Sequence, residues 1–287
     1  MKYGLIDIGT NTIRGVIYSV TDKTTIAADI VFESEIITDT ADNKLSEQGI
    51  DKLAQTLKQI TIFFEKEDTD RILCFATSAM RDVVNLAEVK MKIKRECNIE
   101  IELLSGKEEA ECDFLALNYN IKENTGIGVD LGGGSCQIFY YEHGKLIHSK
   151  SLPIGVKRLY LNFGKYSRNN YESIKRFIYG NLNNFPKVMC NSLYIMGGTA
   201  KVIKKLLEKE IKNEYFETGM LDFFSSLEYN DDKLLNIIGK RVNTIEYGVV
   251  VIKLLCEYFN AAKFSVMQCG VRDGYLIKKG VFKDIHI

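Results

Sequence analysis

Two short stretches carry residues that could do chemistry. In Gly128-Val129-Asp130-Leu131-Gly132-Gly133-Gly134-Ser135 an apolar run ends in a carboxylate, three glycines follow, and a hydroxyl residue leads into a second apolar run, Ile138 to Tyr141. Gly4-Leu5-Ile6-Asp7-Ile8-Gly9-Thr10-Asn11-Thr12 repeats the device and is followed by Ile13 to Tyr18. A shift of 123 residues, from 7 to 130, puts Asp7 on Asp130, Gly9 on Gly132, Thr12 on Ser135 and Tyr18 on Tyr141. Each stretch reads as a strand, a tight glycine turn and a returning strand. Glycines there allow positive φ and close approach of backbone to a ligand. Successive N–H groups in such a turn form an anion-binding nest, and an adjacent aspartate suits a divalent cation. A single Asp-x-Gly is most often an ordinary turn whose aspartate bonds its own backbone. Two, a domain's length apart, suggest two related domains facing each other across a phosphate.

A third stretch adds an acid. Ser105-Gly106-Lys107-Glu108 matches a capping box, in which Ser105 takes the N3 amide and Glu108 reaches back to the cap. Glu109 is left without a capping duty and points about 100° further round the helix. The plain alternative is a solvated first-turn acid favoured by the helix dipole.

The elements that must position these residues follow from periodicity. Strands are expected at 3–8, 13–20 and 24–37, then a helix capped by Ser46 and running to Lys66. Ile50, Leu53, Leu57, Ile60 and Phe64 recur at spacings of three and four, so one face of that helix packs on a sheet. A strand at 71–76, a short helical segment at 77–81, a helix at 87–96 and a strand at 99–104 complete the first half. The second half repeats the scheme with strands at 126–130, 135–142 and 145–152, helices near 156 and at 170–184, and a strand at 193–196. Gly197-Gly198-Thr199-Ala200 then opens a helix carrying Lys201, Lys204, Lys205, Lys209 and Lys212, read as a solvated face or, alternatively, a polyanion track. Residues 213–240 resist placement; a helix at 245–259, a strand at 263–267 and a helix ending near 279 follow. The implied fold is α/β, two domains of mixed sheet flanked by helices, 1–120 and 121–287, with the polar stretch 118–125 as the boundary.

Bulk properties narrow the function. With 287 residues, 38 basic and 38 acidic side chains and 46% hydrophobic content, the chain describes a globular protein whose net charge points to neither DNA nor a membrane. No apolar run is long enough to span a bilayer. No signal-peptide layout precedes Asp7, so a cytoplasmic location is expected. Seven scattered cysteines without a Cys-x-x-Cys pair read as reduced thiols, Cys136 in the second turn included, and three histidines share no ligand spacing.

Seven motifs in order resemble the exopolyphosphatase / guanosine pentaphosphate phosphohydrolase family of the actin-like (ribonuclease H-like) ATPase superfamily. They are residues 7–14, 76–81, 105–110, 130–135, 151–155, 197–199 and 270–276, and the resemblance spans nearly the whole chain in a short, two-domain form. It implies two actin-like domains with the active site in the cleft between them. It implies release of terminal phosphate from inorganic polyphosphate or guanosine pentaphosphate with Mg²⁺ or Mn²⁺, and, since family members often dimerise, a homodimer. By position, Glu109 matches the residue that orients or deprotonates the attacking water. Asp7 and Asp130 match the metal-side carboxylates. Gly9, Thr10, Asn11 and Thr12 match one phosphate loop, and Gly132, Gly133, Gly134 and Ser135 the other. Arg14 and Arg81 sit in motifs near the phosphates, and Arg241 matches an arginine near the entrance. One position departs: the family usually has Ser-Thr-Glu after the triple glycine, and here it is Ser135-Cys136-Gln137. The family glutamate helps hold the metal; the neutral Gln137 would do so more weakly. A weakly hydrolysing polyphosphate or nucleotide sensor is therefore an alternative, and a small-molecule kinase of the same superfamily a further one.

Overall fold

Strands β1 (Lys2–Ile8), β2 (Thr12–Val20) and β3 (Thr24–Glu33) form an antiparallel meander in the computed structural model, which describes residues 1–34, 36–208, 215–226 and 236–282. A small hairpin, β4 (Thr40–Ala41) and β5 (Lys44–Leu45), leads to helix α1 (Glu47–Lys66). The Ser46 hydroxyl accepts from the Gly49 amide at 3.0 Å, which satisfies one of the helix's unpaired N–H groups. Ile50, Leu53, Leu57, Ile60 and Phe64 are all buried, as their spacing predicts. Each contributes about 1.5–3 kcal/mol through removal from water. Strand β6 (Arg71–Ala76) returns parallel to β1 and is followed by α2 (Ser78–Arg81), α3 (Leu86–Cys97) and β7 (Glu102–Leu103), giving the order β3-β2-β1-β6-β7.

Two expected strands come out shorter. The third ends at Glu33, where the Ser34 amide turns to the Asn11 carbonyl at 3.0 Å. The strand expected over 99–104 pairs only at Glu102 and Leu103, opposite Phe75 and Ala76. Ile99 and Ile101 still alternate inward and are buried, but a cavity of about 650 Å³ lies between them and Ile72 and Cys74 of β6. Hydrophobic alternation thus fixes the extended conformation without closing the ladder.

The second sheet repeats the meander with β8 (Gly126–Leu131), β9 (Cys136–Glu142) and β10 (Lys145–Leu152). Strands β11 (Ser192–Met196), β12 (Phe216–Glu217) and β13 (Lys263–Val266) extend it in the order β10-β9-β8-β11-β13-β12. Side chains alternate across each strand. Ile127, Val129, Leu131, Ile138, Leu193 and Ile195 face one core, packed by α5 (Val156–Phe163), α6 (Tyr171–Leu182), α7 (Gly198–Leu207) and the helix Ile245–Phe259. Phe139, Tyr141, Tyr194 and Met196 face the other way, against Phe114, Ala116 and Leu117 of α4 (Gly106–Asn120). This is the α/β class with mixed sheets flanked by helices that the sequence predicts.

The chain forms two compact units, Met1–Glu109 with Tyr275–Ile287, and Ala110–Gly274. The polar stretch 118–125 therefore lies inside the second unit, because α4 has already committed Phe114 and Leu117 to the second sheet's core. In the first unit Tyr275 packs on Phe75 with ring centroids 4.8 Å apart and planes tilted by 43°, and Phe282 meets Tyr18 edge-on at 5.9 Å.

Candidate active site

The two glycine turns are duplicates in geometry as well as sequence. Gly9 N–H donates to the Thr12 carbonyl at 3.0 Å, and Gly132 N–H to the Ser135 carbonyl at 3.0 Å. The strands leaving each turn pair in matching register: Asp7 lies opposite Arg14, and Asp130 opposite Gln137. One sequence expectation fails in detail. Neither Gly9 nor Gly132 adopts a left-handed φ; a Cβ at either would sit 3.1 or 3.0 Å from the carbonyl oxygen that the turn closes on. Crowding, not positive φ, is what selects glycine at these two positions.

In the first unit the predicted residues fall into two groups. Asp7, the penultimate residue of β1, is half-buried, and Thr10 in the turn is buried. Asn11 accepts from the Ser34 amide. Arg14 donates through Nε at 2.9 Å and Nη2 at 2.5 Å to Asp29 Oδ2 on β3. Both partners are about one-third exposed, so this pair contributes at most ~1 kcal/mol. Arg14 is thus held by a neighbouring strand's acid.

The second group is built on the capping box. Ser105 N–H and Oγ–H both donate to Glu108 Oε2, at 2.9 and 2.8 Å, and the Glu108 amide donates back to Ser105 Oγ at 3.2 Å. The Ser105 amide, then its hydroxyl, hold the Glu108 carboxyl below its ordinary pKa against a smaller opposing effect of burial. Glu109, freed from capping, turns inward and is 6% exposed. Arg81, at the end of α2, donates to Glu109 Oε2 at 2.5 Å and to the Leu104 carbonyl at 3.3 Å. The side chains of this pair are 18% and 8% exposed, so its electrostatics are far less screened than those of Arg14 and Asp29.

In the second unit the triple-glycine turn is clamped by α5, a feature that sequence reasoning missed. The amides of Val156, Lys157 and Arg158 donate to the carbonyls of Gly132 and Gly133 at 2.8–3.1 Å, and Arg158 Nε donates to the Gly134 carbonyl at 2.8 Å. A Cβ on Gly155 would lie 2.4–2.5 Å from backbone atoms of Gly133, Gly134 and Ser135. The only sequence signal was Gly155 itself, placed just before a predicted helix.

Asp130 is 9% exposed and lies against the start of α7: a Cβ on Gly197, which has φ +103°, would be 2.7 Å from Asp130 Oδ1. Arg241 reaches the same helix start, its Nη2 only 2.5 Å from where a Gly198 Cβ would be. Burial lowers the Arg241 pKa, and its Nε has no hydrogen-bond partner. Lys201 donates to the Gln268 carbonyl at 2.6 Å. Its pKa is pushed down by burial first and then by Arg272, with Asp273 and Asp130 opposing. The lysine row is therefore not a solvated face at its start. Lys204 pairs with Glu208 at 3.5 Å, and Lys209 and Lys212 lie outside the described residues, as do 213–214 and 227–235.

Gln137 is 1% exposed and donates through Nε2 to Ser135 Oγ at 2.8 Å and to Ser151 Oγ at 3.0 Å. Asp130, Gln137 and Ser151 occupy directly opposed positions on β8, β9 and β10. Among the described residues no group of three His, Cys, Asp or Glu side chains could cage a metal ion. Asp7 and Asp130 each bring one carboxylate to a glycine turn, and Mg²⁺ is usually held by one or two carboxylates together with phosphate oxygens and water.

The sheet orders and helix placement are those of an α/β fold with two mixed sheets flanked by helices. A profile of the Ppx/GppA phosphatase family matches residues 16–280, and the chain belongs to that family. It is 27% identical over 167 residues to Exopolyphosphatase 1 of Mycobacterium tuberculosis, covering 55% of this chain and 48% of that protein. It is 28% identical over 287 residues to the bifunctional 3-dehydroquinate synthase/phosphatase of Fusobacterium nucleatum, covering 88% of this chain and 43% of that one. The chain thus spans about half the length of the curated relatives it matches. Among solved structures, an exopolyphosphatase from Cytophaga hutchinsonii superposes with a TM-score of 0.85 at 18% identity, over 98% of this chain and 99% of the other. The Aquifex aeolicus Ppx/GppA phosphatase superposes with 0.78 at 23% identity, over 97% and 99%. Among the described residues no helix is long and apolar enough to cross a membrane.

Proposed function

We propose that the chain hydrolyses terminal phosphoanhydride bonds, with inorganic polyphosphate as the principal substrate. The observation that carries this reading is Glu109: an acid excused from capping by its neighbour, buried, and fixed by Arg81 at 2.5 Å. A buried carboxylate held in one orientation suits alignment of a water molecule and acceptance of its proton. Water attacks the terminal phosphorus, the bridging P–O bond breaks in line, and the shortened chain leaves with the bridging oxygen. The N–H groups of a glycine turn suit phosphoryl oxygens, and Arg241 adds a desolvated positive charge at the start of α7 beside the second turn. Asp7 and Asp130, each beside its own turn, are the carboxylates that would hold Mg²⁺, which when bound offsets charge on the phosphoryl oxygens.

The test is phosphate release from polyphosphate and guanosine pentaphosphate, measured side by side for wild type and Glu109→Gln. Turnover should fall at least ~100-fold, the scale of general-base loss, while far-ultraviolet circular dichroism shows the variant still folded at the assay temperature. Equal turnover in the two proteins overturns the assignment. Faster release from guanosine pentaphosphate than from polyphosphate overturns the substrate choice alone.

A second reading, a polyphosphate-binding sensor with slow turnover, is favoured by Gln137, whose amide is committed to two serine hydroxyls. Tight polyphosphate binding with negligible wild-type hydrolysis in both Mg²⁺ and Mn²⁺ would select it.

A further inference from the structure

Within the first unit, α1 and the ends of β2 and β3 border a cavity of about 310 Å³, apart from the one beside β6. Its floor is apolar: Ile13, Ile36 and Leu53 are buried and Phe32 is half-buried. The charged side chains on its walls are Glu33, Asp39 and Lys52. Lys52 Nζ lies 3.4 and 3.2 Å from the two Asp39 carboxylate oxygens, and the two side chains are 42% and 19% exposed. Asp39 is held in place by the main chain, its carbonyl accepting from the Ser46 amide at 3.1 Å. Gly49 makes room for it, since a Cβ there would lie 2.8 Å from Asp39 Cβ. Capping does not account for this acid, because Ser46 supplies the cap of α1. Stability does not account for it either, because an ion pair this exposed adds little.

An ion pair on the rim of an apolar cavity presents a positive and a negative group side by side. An α-amino acid carries the same two charges on one carbon. It can dock head to tail, its carboxylate on Lys52, its ammonium on Asp39 and its side chain on the apolar floor. Glu33 adds a second negative group for the ammonium, and two acids against one base disfavour a bare carboxylate. An apolar lining with a few placed charges is the usual make-up of a small-molecule pocket, and such pockets begin at about 300 Å³.

We propose that this cavity binds a free α-amino acid with an apolar side chain. Leucine, phenylalanine, alanine and two one-charge analogues of leucine, isocaproate and isoamylamine, are titrated into the full chain by calorimetry. Methyl NMR follows Ile13, Ile36 and Leu53 during the titration. Leucine or phenylalanine should bind and shift the methyl signals of all three residues. Alanine should bind at least ~10-fold more weakly than leucine, through lost apolar burial. Each one-charge analogue should also bind at least ~10-fold more weakly, the scale of one hydrogen bond to a charged group. Asp39→Asn and Lys52→Met should each weaken leucine binding by a similar factor, with circular dichroism showing both variants folded. The ligand series on wild type decides the matter even where a variant unfolds. Isocaproate or isoamylamine binding as tightly as leucine overturns the inference. So does heat of binding without shifts at the three residues, or no binding of leucine and phenylalanine up to ~10 mM.

Discussion

Both glycine turns close with the same main-chain bond at 3.0 Å, yet the side chains one strand away have parted company. Opposite Asp7 stands Arg14, about one-third exposed and tied to Asp29; opposite Asp130 stands Gln137, buried and tied to two serines. The first unit balances its charges in pairs, Arg14 with Asp29 and Arg81 with Glu109. The second gathers Arg158, Lys201 and Arg241 around its turn. The turns are also held differently. Four donors from α5 grip the triple-glycine carbonyls, whereas the first turn is met at Asn11 by the Ser34 amide. A repeated backbone device therefore keeps its geometry through main-chain bonds, while the neighbouring side chains are free to specialise.

The sharpest way to break this contrast is Arg81→Ala. It strands Glu109 as a buried charge without its guanidinium, and should cost about 3 kcal/mol of stability in urea unfolding. A smaller loss than that of Arg14→Ala would show that the two pairs are not different in kind. Next comes Gly155→Val. Its side chain must displace the second turn, at about 2 kcal/mol. Amide exchange at Val156 and Lys157 should accelerate with it; unchanged exchange would mean that α5 does not clamp the turn.

Ser105→Ala should cost about 1 kcal/mol at neutral pH as the cap is lost. The pH dependence has a definite sign. Glu108 is held below its ordinary value, so its contribution is present above the unfolded carboxyl pKa and is lost as pH falls through the lower folded one. The gap between wild type and variant in thermal melts should narrow below about pH 4. The smallest effect is the coupling of Arg14 to Asp29: a double-mutant cycle should return under ~1 kcal/mol and shrink further in high salt. A larger, salt-insensitive value would place Arg14 among the structural pairs.

What could be read from the sequence was local. The capping box fixed Glu108, and elimination then left Glu109 for an inward role; α1's stripe from Ile50 to Phe64 was visible because helix packing repeats at short range. The offset of 123 residues exposed the paired turns because identical backbone tasks select similar residues. What escaped was long-range. Nothing near Arg14 in sequence announces Asp29, which arrives through the β2–β3 register. Lys201 looked like the start of a solvated row, yet the Gln268 carbonyl, 67 residues away, takes its ammonium. Ile99 and Ile101 had the alternation of a strand, but alternation reports burial and not whether a partner's amides are in reach.

The chain leaves its first unit after Glu109 and rejoins it at Tyr275, and this has a consequence for the order of manufacture. During synthesis the contiguous stretch 110–274 is complete while the first sheet still lacks the ring that packs on Phe75 and the hydroxyl that donates to Glu102 at 2.6 Å. The earliest-made unit is thus the last to be finished. A nascent chain holds the first glycine turn, with Asp7 and Gly9 in place, on a sheet that waits for Tyr275 to reach Phe75 and Glu102.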